Sequence, residues 1–196
     1  MKVGVLALQG DVPEHLEALA RVDGASPRPV RTPADLASVD ALFLPGGEST
    51  TIARLLKESG LWEPLGERLD RGLPVLATCA GLIVLARHLE RSPSGPNPPT
   101  LGRLDVTVRR NDYGSQRESF EDGVVVDGLG GPPFPGVFIR APRILKVGPH
   151  ASAFARRGEE VVGVRAGLLW GLTFHPELSG DPRVHELFLA EVKRSL

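Results

Sequence analysis

A single cysteine, Cys79, sits in the segment Val75-Leu76-Ala77-Thr78-Cys79-Ala80-Gly81-Leu82. An apolar run that reads as a buried strand leads straight into a helix, with small residues close on both sides of the thiol. That is the logic of a nucleophile elbow, a tight strand-to-helix turn that presents a side chain at the helix start. Free N–H groups and the dipole at a helix N-terminus favour thiolate over thiol. A free cysteine is otherwise commonly an inert buried residue, so it is the turn that sets this one apart. A second segment, Thr173-Phe174-His175-Pro176-Glu177, supplies partner chemistry. In extended backbone, residues i and i+2 project to the same side, so Glu177 is placed to orient the His175 ring and stabilise its charged form. Thiol, imidazole and carboxylate together are the parts of a thiol-dependent hydrolytic site.

A third segment, Leu44-Pro45-Gly46-Gly47-Glu48-Ser49-Thr50, places two glycines ahead of a helix start. Exposed N–H groups there suit an oxyanion or a carboxylate. The glycine-lysine-serine/threonine signature of a phosphate loop is missing, as is a dinucleotide-type G-x-G-x-x-G. The remaining histidines are weaker candidates. His15 falls on an amphipathic helix, His88 near a helix end, His150 in a turn and His185 on the last helix, and each is expected to be solvated or capping. None has ligand spacing with a second histidine or cysteine, so no metal site is expected.

These segments need a scaffold, and the chain predicts one. Apolar runs at Val3 to Leu8, Ala41 to Leu44 and Pro74 to Thr78 read as buried strands. Helices are expected over Pro13 to Val22 (Leu16, Leu19 and Ala20 inward), from Ser49 or Thr50 to Gly60, over Trp62 to Arg71 and over Gly81 to Glu90. Strands alternating with helices indicate a parallel sheet covered on both faces, with ligands gathered at the carboxyl ends of the strands. After a loop at Ser92 to Thr100 the pattern changes. Leu104 to Val108, Val124 to Val126, Val137 to Ile139, Ile144 to Val147, Val161 to Arg165 and Leu168 to Phe174 read as strands joined by turns, some of them antiparallel. Gly128 to Gly136 reads as a Pro/Gly loop, and a final helix from about Pro182 to Lys193 turns Val184, Leu187, Phe188 and Val192 inward.

The 196 residues suffice for one domain, 1–196, with 41% apolar residues to fill a core. The 23 basic and 24 acidic residues leave a net charge of −1, which argues against a nucleic-acid or membrane-surface role. One cysteine excludes an intramolecular disulfide framework and makes a reduced, cytoplasmic setting the default. The first residues are too short in apolar character for a signal peptide, and no run approaches a membrane span.

With these segments in view, the sequence resembles the glutaminase subunits of two-component pyridoxal 5′-phosphate synthases, a family within the class I (triad) glutamine amidotransferases. Cys79-Ala80-Gly81 with His175-Pro176-Glu177 carries the broader likeness. The narrower one rests on Gly4 to Gly10, Gly46 to Thr50, Arg110 to Phe120 and Phe138 to Pro142. The resemblance implies a flavodoxin-like three-layer α/β/α domain, with a mostly parallel central sheet and added antiparallel strands. It implies Cys79 as nucleophile on the glutamine side-chain amide, His175 as base and then acid, and Glu177 as its orienter. Gly47, Glu48, Ser49, Arg110, Ile139 and Arg140 would bind glutamine, and the N–H groups of Gly47 and Ala80 would form the oxyanion site. Which arginine grips the substrate carboxylate stays open, and Glu48 is a candidate for the ammonium. Leu82 stands where the family commonly has methionine. No cofactor or metal is implied, and the expected partner is a synthase subunit in a large hetero-oligomer that takes up the ammonia. A switch on docking is expected around Gln9-Gly10 and Gly46-Gly47, where glycine leaves the backbone free to turn. Other readings are a glutaminase serving a different synthase such as imidazole glycerol phosphate synthase, a non-catalytic module of the same fold, and a thiol-dependent chaperone or peptidase.

Overall fold

A computed structural model describes residues 1–91, 95–110 and 119–195. The first half alternates as the apolar runs require: β1 (Lys2–Leu6), α1 (Val12–Ala20), β2 (Ser26–Val30), α2 (Pro33–Ala37), β3 (Ala41–Leu44), α3 (Ser49–Glu58), α4 (Trp62–Asp70), β4 (Val75–Thr78) and α5 (Ala80–Leu85). The second half is mostly strand: β5 (Ala86–Leu89), β6 (Leu104–Arg109), β7 (Phe120–Val126), β8 (Phe134–Phe138), β9 (Arg143–Val147), β10 (Ser152–Arg157), β11 (Glu160–Ala166) and β12 (Leu169–Leu172). A short 3-10 turn, Pro176–Leu178, and α6 (Arg183–Ser195) close the chain.

Among the described residues, nine strands form one sheet in the order β2-β1-β3-β4-β12-β11-β10-β7-β8. From β2 to β12 all neighbours are parallel. From β12 to β8 all are antiparallel. A smaller sheet, β5-β6-β9, stands apart. The period-two alternation of strand side chains divides the core between two faces. Leu42, Leu44, Val75 and Ala77 pack towards α2 to α5 and the small sheet, in a cluster with Leu36, Ile52, Leu65, Ile83 and Leu104. Val3, Val5, Phe43, Leu76 and Trp170 pack towards α1 and α6, in a cluster with Leu19, Val184, Phe188 and Val192. This is the three-layer α/β/α arrangement expected, and its central parallel strands β3 and β4 are buried on both faces. No helix among the described residues is long and apolar enough to cross a membrane.

The structure corrects several elements. The helix expected over Gly81 to Glu90 stops at Leu85, and Ala86–Leu89 becomes β5, paired parallel with β6. The carbonyls of Val84 and Leu85 accept from the Leu101 and Arg103 N–H groups, at 2.7 and 2.9 Å, so they are satisfied without another helical turn. β2, α2 and β10 were not expected. β2 reads Ser-Pro-Arg-Pro-Val, and two prolines ordinarily exclude a central strand. It forms the sheet edge instead: the N–H of Ser26 donates to the carbonyl of Met1, so Pro27 and Pro29 direct their missing N–H groups to the open side. β10 carries bulges that break its alternation. The Gly128 to Gly136 loop ends early, because β8 begins at Phe134. On α1 the buried residues are His15 and Leu19, whereas Ala20 is exposed.

Candidate active site

β4 and β12 lie side by side, and both point their carboxyl ends at the site. The Cys79 N–H donates to the Leu172 carbonyl at 2.8 Å, locking the end of β4 to the end of β12. Cys79 then turns through φ 46° and ψ −101° at the head of α5. A positive φ is unusual for a non-glycine residue and stores roughly 1–3 kcal/mol of strain. The turn closes because the next residue but one has no side chain: a Cβ on Gly81 would lie 2.3 Å from the Leu44 carbonyl oxygen. Strand, strained thiol and immediate helix make the elbow that the sequence predicts.

Three residues beyond β12, the His175 N–H donates to the Val137 carbonyl of β8 at 2.8 Å. His175 Nδ1 lies 2.8 Å from Glu177 Oε1 and 3.2 Å from Asp11 Oδ2. Its other nitrogen, Nε2, is buried without a hydrogen-bond partner. Burial alone would depress the imidazole pKa, but Asp11, Cys79 and Glu177 outweigh it and raise His175 well above its ordinary value. Burial raises the Glu177 carboxyl above its usual range, against the opposing pull of His175. The ring is therefore held as a cation between acidic neighbours, with one nitrogen left for chemistry.

Cys79, His175 and the Gly47-Glu48-Ser49 segment line one cavity of about 130 Å³, and Arg110, Ile139 and Arg140 line it too. Ala80 is the first residue of α5, so its N–H has no intrahelical partner. Gly46 and Gly47 owe their identity to crowding. A Cβ on Gly46 would meet His175 Cε1 at 2.3 Å, and one on Gly47 would meet Gln9 Oε1 at 2.5 Å. Gln9 Oε1 also accepts from the Glu48 N–H at 2.8 Å, which ties the β1–α1 loop to the β3–α3 loop. The Glu48 carboxylate caps α3, accepting from the Thr51 N–H at 2.9 Å. Its Oε1 is 3.5 Å from Arg110 Nη2. Burial pushes Glu48 upward, but the bonds from Thr50 and Thr51 prevail and hold it below its ordinary value. Arg110 is buried and also donates to the Pro96 carbonyl at 3.0 Å, whereas Arg140 is exposed with φ 42°. The rest of the Arg110 to Phe120 motif, residues 111–118, lies outside the described residues.

Two lining residues were not anticipated. Asp11 follows the Gln9-Gly10 turn, and Ile83 lies one helical turn after Cys79, on the same face. That i+4 spacing was the available signal for Ile83. A second correction concerns the histidines expected to be solvated or capping. His15 and His185 are fully buried; His15 Nε2 lies 3.4 Å from Glu177 Oε2. His88, on β5, and His150 are exposed.

Comparison with known proteins shows the family and the fold. A pyridoxal 5′-phosphate synthase subunit PdxT from Streptomyces avermitilis is 52% identical over 191 residues, covering 97% of this chain and 94% of the relative. A solved structure described as a glutamine amidotransferase superposes with a TM-score of 0.88 at 45% identity, over 97% of this chain and 98% of the other. A putative GMP synthase component from Thermoplasma acidophilum shares the fold alone, at a TM-score of 0.67 and 17% identity, over 100% of this chain and 95% of the other. Residues 5–194 match the SNO glutamine amidotransferase family, and the chain belongs to it.

Proposed function

We propose that the chain hydrolyses L-glutamine to L-glutamate and ammonia with a Cys79–His175–Glu177 triad, and delivers the ammonia to a synthase subunit that makes pyridoxal 5′-phosphate. The observation that carries this reading is His175 itself. Its Nδ1 is held by Glu177 while its unpartnered Nε2 and the strained Cys79 belong to one cavity. The proton given up by the thiol rests on His175 Nε2, which is what makes the ring a cation, and Cys79 Sγ attacks the glutamine side-chain carbonyl carbon as thiolate. The same proton goes to the departing nitrogen as the C–N bond breaks, which leaves a glutamyl thioester and ammonia. Water then attacks the thioester with His175 as base, and glutamate leaves as the thiol is restored. The Gly47 and Ala80 N–H groups are suited to the oxyanion, each worth roughly 2.7–4 kcal/mol in comparable hydrolases. Arg110 is the better placed of the two arginines for a bidentate grip on the substrate carboxylate, because it is buried beside the Glu48 segment.

The relatives are named as subunits of a synthase, and this supports a partner that uses the ammonia, in a hetero-oligomer. A reducing cytoplasm suits a lone catalytic thiol. Glutamate release from glutamine, measured with and without the synthase subunit, tests the reading. Release that Cys79→Ala abolishes is the expected result. No release in either condition, or full release by Cys79→Ala, would overturn it.

A further inference from the structure

Behind the line of Cys79, His175 and Glu177 lies a buried imidazole pair that the proposed chemistry does not use. Glu177 directs Oε1 to His175, while its Oε2 is buried without a well-formed hydrogen bond. Beside that oxygen, at 3.4 Å, is Nε2 of His15 on α1. The same nitrogen lies 3.3 Å from Oγ1 of Thr78, the residue preceding the nucleophile. His15 Nδ1 is in turn 3.3 Å from Nε2 of His185 on α6. His185 stacks on Phe43, with centroids 5.4 Å apart and planes 7° from parallel.

A neutral imidazole carries one N–H, and the surroundings decide where it sits. With the proton on His15 Nδ1, the Nε2 lone pair would face a carboxylate oxygen. His185 would then have to accept at Nε2, which leaves an N–H at its Nδ1, buried with no partner. With the proton on His15 Nε2, that N–H has Thr78 Oγ1 at 3.3 Å as its hydrogen-bond partner and Glu177 Oε2 beside it at 3.4 Å, and Nδ1 accepts from the His185 Nε2–H. The unmet groups are then acceptors only, Glu177 Oε2 and the lone pair on His185 Nδ1, and a buried unmet acceptor is tolerated better than a buried unmet donor. Both rings are held neutral: burial chiefly pushes His15 well below its ordinary value and His185 down to about 4.

We propose that His15, held in one tautomer by His185, is a positioning residue for the triad: its Nε2–H steadies the second oxygen of Glu177 so that the first stays aimed at His175. The inference rests on the triad reading above. A donor beside a buried carboxylate favours its charged form, which sustains the cationic state of His175. The groups facing His175 are Asp11, Cys79 and Glu177; those facing His15 are Glu177 at 3.4 Å, His185 at 3.3 Å and His175.

His15→Leu removes the donor, whereas His15→Gln returns an amide N–H near the same point. In glutaminase assays with the synthase subunit present, His15→Leu is expected to lower kcat roughly tenfold, the scale of outer-shell partners of metal-bound imidazoles, with KM nearly unchanged. The alkaline limb of its kcat/KM profile should move to lower pH, and His15→Gln should restore both. Unchanged kcat and an unmoved limb in His15→Leu would overturn the proposal. So would equal impairment of both variants with the limb unmoved. Should His15→Leu fail to fold, nitrogen-15 NMR of the intact protein decides: protons on Nε2 of both His15 and His185 support the proposal, and a proton on His15 Nδ1 refutes it. An inactive Glu177→Gln beside a fully active His15→Leu sinks this inference alone, whereas a fully active Glu177→Gln sinks the triad reading with it.

Discussion

Replacing His185 by phenylalanine should flatten the acid side of the protein's stability curve. In the fold His185 titrates at about 4, because burial disfavours its charged form, whereas its ordinary value is 6.5. Between those values the unfolded chain binds a proton that the folded chain refuses, so stability rises with pH across the window. Each unit of the gap is worth about 1.36 kcal/mol, so this residue costs about 3 kcal/mol once the pH is below both values, and nothing well above 6.5. His15, also lowered, acts in the same sense. Glu177 is raised, so the folded chain holds its proton longer, and above 4.5 it acts in the opposite sense. His175 is raised as well; its contribution is complete below 6.5 and is lost only as pH climbs through its folded value. The variant keeps those three groups, and a phenyl ring can stack on Phe43 as the imidazole does. Urea unfolding of both proteins near pH 7.5, 6 and 5 should therefore show the parent losing about 2 kcal/mol more than the variant on reaching pH 5. Parallel curves would refute the reasoning, because they would mean that His185 takes its proton equally well in the folded and unfolded chain.

Other substitutions probe the site directly. Cys79→Gly should be inactive in glutamate release yet more stable than Cys79→Ala by about 1 kcal/mol in urea melts, since glycine relieves the positive φ. Gly81→Ala forces a Cβ against the Leu44 carbonyl, and thermal melts should show a loss of about 1–3 kcal/mol, the scale of overpacking. Arg110→Lys should raise KM for glutamine roughly tenfold or more with a smaller effect on kcat, as loss of a charge-assisted fork costs about 1.5–3 kcal/mol. Asp11→Asn should move the alkaline limb of the kcat/KM profile to lower pH, because Asp11 helps to hold His175 cationic.

The residues that break local rules were the easiest to read. A thiol among alanine and glycine at a strand end, and a His-Pro-Glu segment, announce themselves because few foldable patterns need them. Continuous apolar runs marked β1, β3 and β4 as buried strands. What stayed hidden depended on tertiary neighbours. The edge position that tolerates Pro27 and Pro29 is a property of the sheet, not of the Ser26–Val30 segment. The early stop of α5 depends on N–H groups that arrive from Leu101 and Arg103. His15 and His185 sit on helices whose polar residues usually face water. Yet His15 stands four residues before Leu19, and His185 three, four and seven before Phe188, Leu189 and Val192, so their spacing with the buried face was the available signal.

The joint between β4 and β12 sets an order of assembly. Cys79 and His175, the proposed nucleophile and base, follow adjacent strands, yet about a hundred residues separate them along the chain. The strands β5 to β11 are all made between them, and β12 enters between β4 and β11 as the wedge that joins the parallel half of the sheet to the antiparallel half. While the protein is still being synthesised, a chain that has emerged only as far as β11 carries its thiol but no base. On the proposed triad, chemical competence thus arrives with β12, and a product that ends before it would leave glutamine untouched.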